Sequence, residues 1–169
     1  MHKTFRDEPD DIAPDGSEIR FILDTKQGTT RAGLCEVRIG PGAISKPVHH
    51  RTVEEIWYFT SGEGWVWRCP PGIEPSPSQT IHVGPGDALL IPVGWSFQFK
   101  ASDAGELRFL CYTSPPWPGA DEAVAVERGG LDWTAKPATP PRRDAATRTA
   151  PHSHEDPQAR RPPRHGRHR

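Results

Sequence analysis

Two adjacent histidines and two adjacent glutamates stand within the stretch Pro41–Gly64, PGAISKPVHHRTVEEIWYFTSGEG. Imidazole and carboxylate groups ligate divalent metals and also exchange protons, so His49, His50, Glu54 and Glu55 form the chain's densest concentration of chemistry. Alternate residues of a strand share a face, which places Glu55 beside Trp57 and Phe59. Glu54 then faces solvent or an adjoining sheet. His49 and His50, in a regular strand, point to opposite faces, and only a bulge brings both inward.

The elements that must position these groups are short strands. EIRFILDT (18–25), TTRAGLCEVRI (29–39), an extended piece at 45–50, 54–60, WVWRC (65–69), TIHV (80–83), DALLIPV (87–93), WSFQFKA (95–101) and ELRFLCYT (106–113) are β-branched or alternating, and glycine or proline turns separate them. No segment holds helical periodicity for more than two turns. About eight or nine such strands predict an all-β fold, an antiparallel sandwich or barrel. Residues 1–17 read as a loose polar arm ending in an Asp-Gly turn. CPPGIEPSPSQ (69–79) reads as loop, and 114–126 as an extended arm after which LDW (131–133) docks a terminal tryptophan.

At 169 residues the chain suits one domain, and its 20 prolines and 16 glycines fit a turn-rich β fold. There is no long apolar run and no basic-then-apolar leader, so a soluble, cytoplasmic protein without a membrane span is expected. Cys35, Cys69 and Cys111 are odd in number and widely spaced, which fits small buried core residues better than ligands or nucleophiles. The net charge of −1 hides an asymmetry: residues 134–169 hold nine Lys/Arg against three Asp/Glu, and the rest of the chain holds 12 against 19. From Thr134 onward no large apolar residue occurs, so this basic tail is expected to be disordered. Its four histidines and nine basic residues lack interleaved aromatic residues, which argues against a nucleic-acid module.

Gly42, His50, Glu55 and Gly62 fall in register with a first motif, G-(x)5-H-x-H-(x)3,4-E-(x)6-G. Gly86, Pro92 and Gly94 match a second, G-(x)5-P-x-G-(x)2-H-(x)3-N. Over roughly residues 18–113 the chain thereby resembles the cupins, and the Pro115–Gly119 arm is similar to that of small single-domain bacterial cupins. The resemblance implies a double-stranded β-helix, or jelly-roll barrel, over 18–133. It also implies a small-molecule ligand in the barrel, a homodimer built through edge strands or the N-terminal arm, and one divalent metal ion (Mn, Fe, Ni or Zn). Val48 and Phe97 stand at two of the four ligand positions, and Ala101 stands where the motif has Asn.

Two readings follow. In one, His50, Glu55 and His49 hold the metal of an isomerase- or oxygenase-type enzyme acting on a small sugar or organic acid. In the other, no metal is needed: His50 and Glu55 orient a ligand, or His50 acts as the base of an isomerase with Glu55 orienting it, in an apolar pocket lined by Val48, Trp57, Phe59, Phe97 and Phe99. His82 is expected to be structural.

Overall fold

The computed structural model describes residues 2–4 and 6–131. It contains eleven strands: β1 (Asp11–Ile12), β2 (Glu18–Leu23), β3 (Gly33–Ile39), β4 (Val48–His50), β5 (Glu54–Ser61), β6 (Gly64–Cys69), β7 (Thr80–Val83), β8 (Ala88–Ile91), β9 (Ser96–Ala101), β10 (Leu107–Ser114) and β11 (Ala123–Ala125). Only short 3-10 turns interrupt them, at 25–27, 77–79 and 120–122. Among the described residues no helix is long and apolar enough to cross a membrane.

All pairings are antiparallel. One sheet has six strands in the order β1-β2-β3-β10-β5-β8, and the other has five in the order β11-β4-β9-β6-β7. The crossovers between strands distant in sequence give the double-stranded β-helix its wound topology. All nine strands expected from the sequence are present, and two short ones join them, β1 at an edge of the six-stranded sheet and β11 at an edge of the five-stranded sheet.

Alternation along each strand builds the core. In β5 the residues Glu55, Trp57 and Phe59 turn inward while Glu54, Ile56, Tyr58 and Thr60 stay exposed. In β10, Leu107, Phe109, Cys111 and Thr113 are buried on the same side. Aromatic rings dominate the interior: Trp57 stacks on Phe109 with centroids 4.4 Å apart, and its edges meet Phe97 and Phe99 at 5.3 Å each. Aromatic pairs in such geometry add to the burial of their large areas. The tight β5–β6 turn depends on Gly62, whose φ is +77° and where a Cβ would lie 2.0 Å from the Glu106 carbonyl oxygen. Only glycine fits there.

The N-terminal arm departs from the expectation of a loose segment. Asp11 pairs with Ile19 and Ile12 with Glu18. The Asp-Gly turn read from sequence returns the chain to the sheet because Asp15 Oδ1 accepts hydrogen bonds from the Ser17 amide at 2.9 Å and its hydroxyl at 2.7 Å. Farther out, the Arg20 Nε donates to the Asp7 carbonyl at 2.6 Å and the Arg38 guanidinium pairs with the Asp7 carboxylate at 2.7 Å. Near the other end, Leu131 is buried against Trp67 and Cys69, and its amide donates to Gln98 Oε1 at 3.1 Å. The expected docking of Trp133 and the disordered tail at 134–169 lie outside the described residues.

Candidate functional site

A cavity of about 360 Å³ opens among the inner faces of the two sheets, a volume ordinary for small-molecule pockets. Its wall combines Val48 and His50 of β4, Glu55 and Trp57 of β5, Phe97 and Phe99 of β9, and Phe109, Cys111 and Thr113 of β10. The arms complete it: Asp11 to Asp15 on one side, and Trp117, Ala120 and Ala123 on the other.

The two sequence motifs meet here through backbone geometry. The Gly94 amide donates to the His50 carbonyl at 3.0 Å, so the second glycine turn anchors the end of β4. Val48 pairs directly with Phe97 across β4 and β9. The two apolar residues at metal-ligand positions are therefore cross-strand neighbours, and one region of the wall is apolar as a unit.

His50 and Glu55 come together as the sequence suggested. Each is buried, and His50 Nδ1 lies 3.6 Å from Glu55 Oε1, too long for a hydrogen bond. Glu55 Oε2 accepts from the Trp57 indole N–H at 2.8 Å, and the Cys111 thiol donates to the same carboxyl group. His50 Nδ1 has no hydrogen-bond partner. The imidazole is wedged between the rings of Phe97 and Trp117, at 4.9 and 5.0 Å.

Burial drives the two groups toward their neutral forms. It lowers His50 to about 4, against a smaller opposing pull from the Glu122 carboxylate. It raises Glu55 to about 7, outweighing the hydrogen bonds from Trp57 and Cys111. Near pH 7 the imidazole is therefore neutral and the carboxyl group is present in both forms, so the close approach is not an ion pair. Burial likewise raises Asp15, despite its bonds to Ser17 and the field of Lys46. Glu122 behaves differently: burial opposes its charge, but hydrogen bonds from the Thr52 and Val53 amides and the Thr52 hydroxyl hold it low.

His49 does not join this group. The β4 register runs His49 opposite Ser96 on one side and Val124 on the other, with no bulge, so alternation turns its side chain away from the cavity that Val48 and His50 line. Phe59, expected in the pocket wall, is fully buried one pleat beyond Trp57, where it packs on Phe109 at 5.1 Å in solid core. Val48, Trp57, Phe97 and Phe99 do line the cavity. Glu54 is exposed as expected, and His82 is half-buried beside Trp65, with its ring 5.6 Å away. Cys35 and Cys111 are buried and free, and they face the cavity from paired positions on β3 and β10.

Sequence reasoning missed Asp15, Thr113 and Glu122. Thr113 was legible as the next inward residue after Cys111, but nothing in the sequence places Glu122 beside Thr52.

The family model described as Cupin matches residues 4–123. The chain belongs to the cupin family. Among solved structures it is similar to the polyketide cyclase RemF from Streptomyces resistomycificus, at 27% identity and a TM-score of 0.53 over 72% of this chain and 76% of that one. A Klebsiella pneumoniae protein with a double-stranded β-helix domain matches at 18% identity and TM-score 0.55, over 76% of this cupin and 100% of the other chain. Oxalate decarboxylase from Bacillus subtilis, described with Mn(II) centres, matches at 19% identity and TM-score 0.54, over 73% of this chain and 30% of its own. The last two likenesses show the fold alone. No curated protein matches the chain.

The residues of this cupin do not suit a resident metal. Among the described residues no three His, Cys, Asp or Glu side chains converge as ligands, whereas protein metal sites ordinarily supply three or four. With Val48 and Phe97 apolar and His49 turned away, His50 and Glu55 are two donors without a third.

Proposed function

We propose that this cupin binds a small, flat, largely apolar compound in its cavity, and that the His50–Glu55 pair moves a proton on that compound without a metal ion. The observation that carries this reading is the buried, unpartnered Nδ1 of His50, 3.6 Å from the Glu55 carboxyl group, in a cavity walled by aromatic rings. Near pH 7 the imidazole is neutral and can accept a proton, while Glu55, at about 7, is present in both forms. A pair whose environments push its two members apart supplies acid and base together. Trp57 and Cys111 fix the carboxyl group; Phe97 and Trp117 fix the imidazole. The likeness to a polyketide cyclase is in keeping with a small organic substrate.

The test is solvent-deuterium incorporation into enolisable aryl and cyclic ketones, followed by proton NMR with a chelator present. Exchange that the protein accelerates and His50→Ala abolishes is expected. Metal analysis of the purified protein addresses the reading of a metal-dependent isomerase or oxygenase. Near-stoichiometric metal, lost in both His50→Ala and Glu55→Ala, would overturn the metal-free proposal.

We also propose that the chain forms a homodimer. Ile56 of β5 pairs with Tyr112 of β10 on one side and with Leu90 of the edge strand β8 on the other, and Tyr112, Ile56 and Leu90 expose 43, 47 and 40% of their surface on the outer face of the six-stranded sheet. A contiguous apolar row on a sheet face suits a protein contact.

A further inference from the structure

The polar atoms gathered around Glu55 share one character: all of them can accept a hydrogen bond. Asp15 and Glu55 both line the cavity at 7 and 6% exposure, and they lie close enough for their charges to oppose each other. Thr113 stands opposite Glu55 in the β10–β5 register, and its buried Oγ1 has no partner. His50 Nδ1, on the same wall, is the second unpartnered buried atom. Asp11 and Asp24 add two more carboxylates to the lining, where their Oδ1 atoms already accept the amides of Ile12 and Lys26. Among the described residues no lysine or arginine lines the cavity; Lys46 acts on Asp15 only from outside it.

An anionic ligand entering this space would give up its hydration and find no cationic donor to replace it. A neutral, donor-poor ligand would leave His50 Nδ1 and Thr113 Oγ1 unpaired, and unpaired buried polar atoms are costly. A protonated amine removes both difficulties. It brings several N–H donors and a positive charge to a cluster of acceptors, and the faces of Trp57, Phe97 and Trp117 attract cations. We infer that the ligand carries an ammonium group on its flat apolar body, with Asp15 and Glu55 as the residues that select for the charge. This inference rests on the cavity reading above and specifies the ligand's head group.

Three probes of matched shape test it by isothermal titration calorimetry at neutral pH: 2-phenylethylamine, 2-phenylethanol and 3-phenylpropionate. A chelator is present so that no metal ion stands in for the cation. The amine is expected to bind about tenfold or more tightly than the alcohol, as befits a charge-assisted hydrogen bond, and the carboxylate more weakly than either. Asp15→Asn and Glu55→Gln are each expected to weaken the amine about tenfold while leaving the alcohol within about twofold. Asp15→Asn keeps the side-chain oxygen that Ser17 needs, so it tests the charge even if Glu55→Gln folds poorly.

Equal affinity for the three probes, or an equal loss for all three in the variants, would overturn the ammonium assignment and leave the cavity and its proton chemistry standing. Binding of the amine without any deuterium exchange on ketones supports the assignment and sinks the proton-transfer reading. Failure of all three probes to bind overturns both.

Discussion

Strand β5 presents two different surfaces one residue apart. Inward, Glu55, Trp57 and Phe59 are 6, 1 and 0% exposed; outward, Ile56 and Tyr58 are 47 and 48% exposed. The contrast repeats on β4, where His50 lines the cavity and its neighbour His49 does not. The inner surface combines solid aromatic packing with a polar pair whose ionisation burial suppresses. The outer surface keeps ordinary residues at ordinary exposure. Position along the sequence therefore says little about a residue's contribution, and parity along the strand says a great deal.

The contrast is tested hardest at Trp57 and Ile56. Trp57 touches Phe97, Phe99 and Phe109 and satisfies Glu55. Trp57→Ala is expected to cost about 3–5 kcal/mol, since it opens a large cavity and leaves a buried carboxyl group short of a donor. Ile56→Ala should cost within about 1 kcal/mol. Urea denaturation of both variants measures the gap, and comparable losses would break the inner–outer distinction.

The pH dependence of stability sharpens it. Folding lowers His50 from 6.5 to about 4. Between those values the unfolded chain holds a proton there that the folded chain lacks, so this group makes stability rise with pH. Folding raises Glu55 from 4.5 to about 7. In that window the folded chain holds the extra proton, and stability falls as pH rises. From about 4.5 to 6.5 the two contributions oppose and nearly cancel. Glu55→Gln removes one of them. Its stability minus that of the wild type should climb by about 2 kcal/mol from pH 4 to 6.5. Stability curves that stay parallel across this range would mean that Glu55 keeps its ordinary acidity in the folded chain.

Much of this arrangement was legible in the chain. The strands themselves, the Gly62 turn and the inward face of Glu55, Trp57 and Phe59 follow from alternation and glycine placement, which are local properties. The pairing of His50 with Glu55 came instead from their register in the cupin motif. The apolar replacements Val48 and Phe97 were also visible, but their direct pairing was not, because register between strands so distant in sequence is a tertiary property. The arms were the least legible part. Asp15 reads as a turn residue and becomes a cavity carboxyl only because its Ser17 bonds fold the arm back onto the sheet. Glu122 sits in a polar stretch and finds its role only when β11 pairs with β4 and carries it to Thr52.

The adjacent histidines give a chemical version of the same test. His50→Ala is expected to slow deuterium exchange about a hundredfold or more, within the usual range for a general base, and His49→Ala to change it less than about twofold. Equal effects would place the chemistry on the wrong face.

The smallest effect on the fold itself is expected at the outer row of Tyr112, Ile56 and Leu90. A lysine at Ile56 or Leu90 meets solvent in the monomer, so the fold should tolerate Ile56→Lys or Leu90→Lys within about 0.5 kcal/mol. In a dimer that buries the same row, either change desolvates a charge with no partner, and the pair should separate. Light scattering of the wild type and the two variants at matched concentration distinguishes the cases. A dimeric wild type with monomeric, still-folded variants gives the outer face of β5 a function to set against the inner one. A wild type that stays monomeric would leave the row as ordinary surface hydrophobicity, which folded proteins carry in quantity.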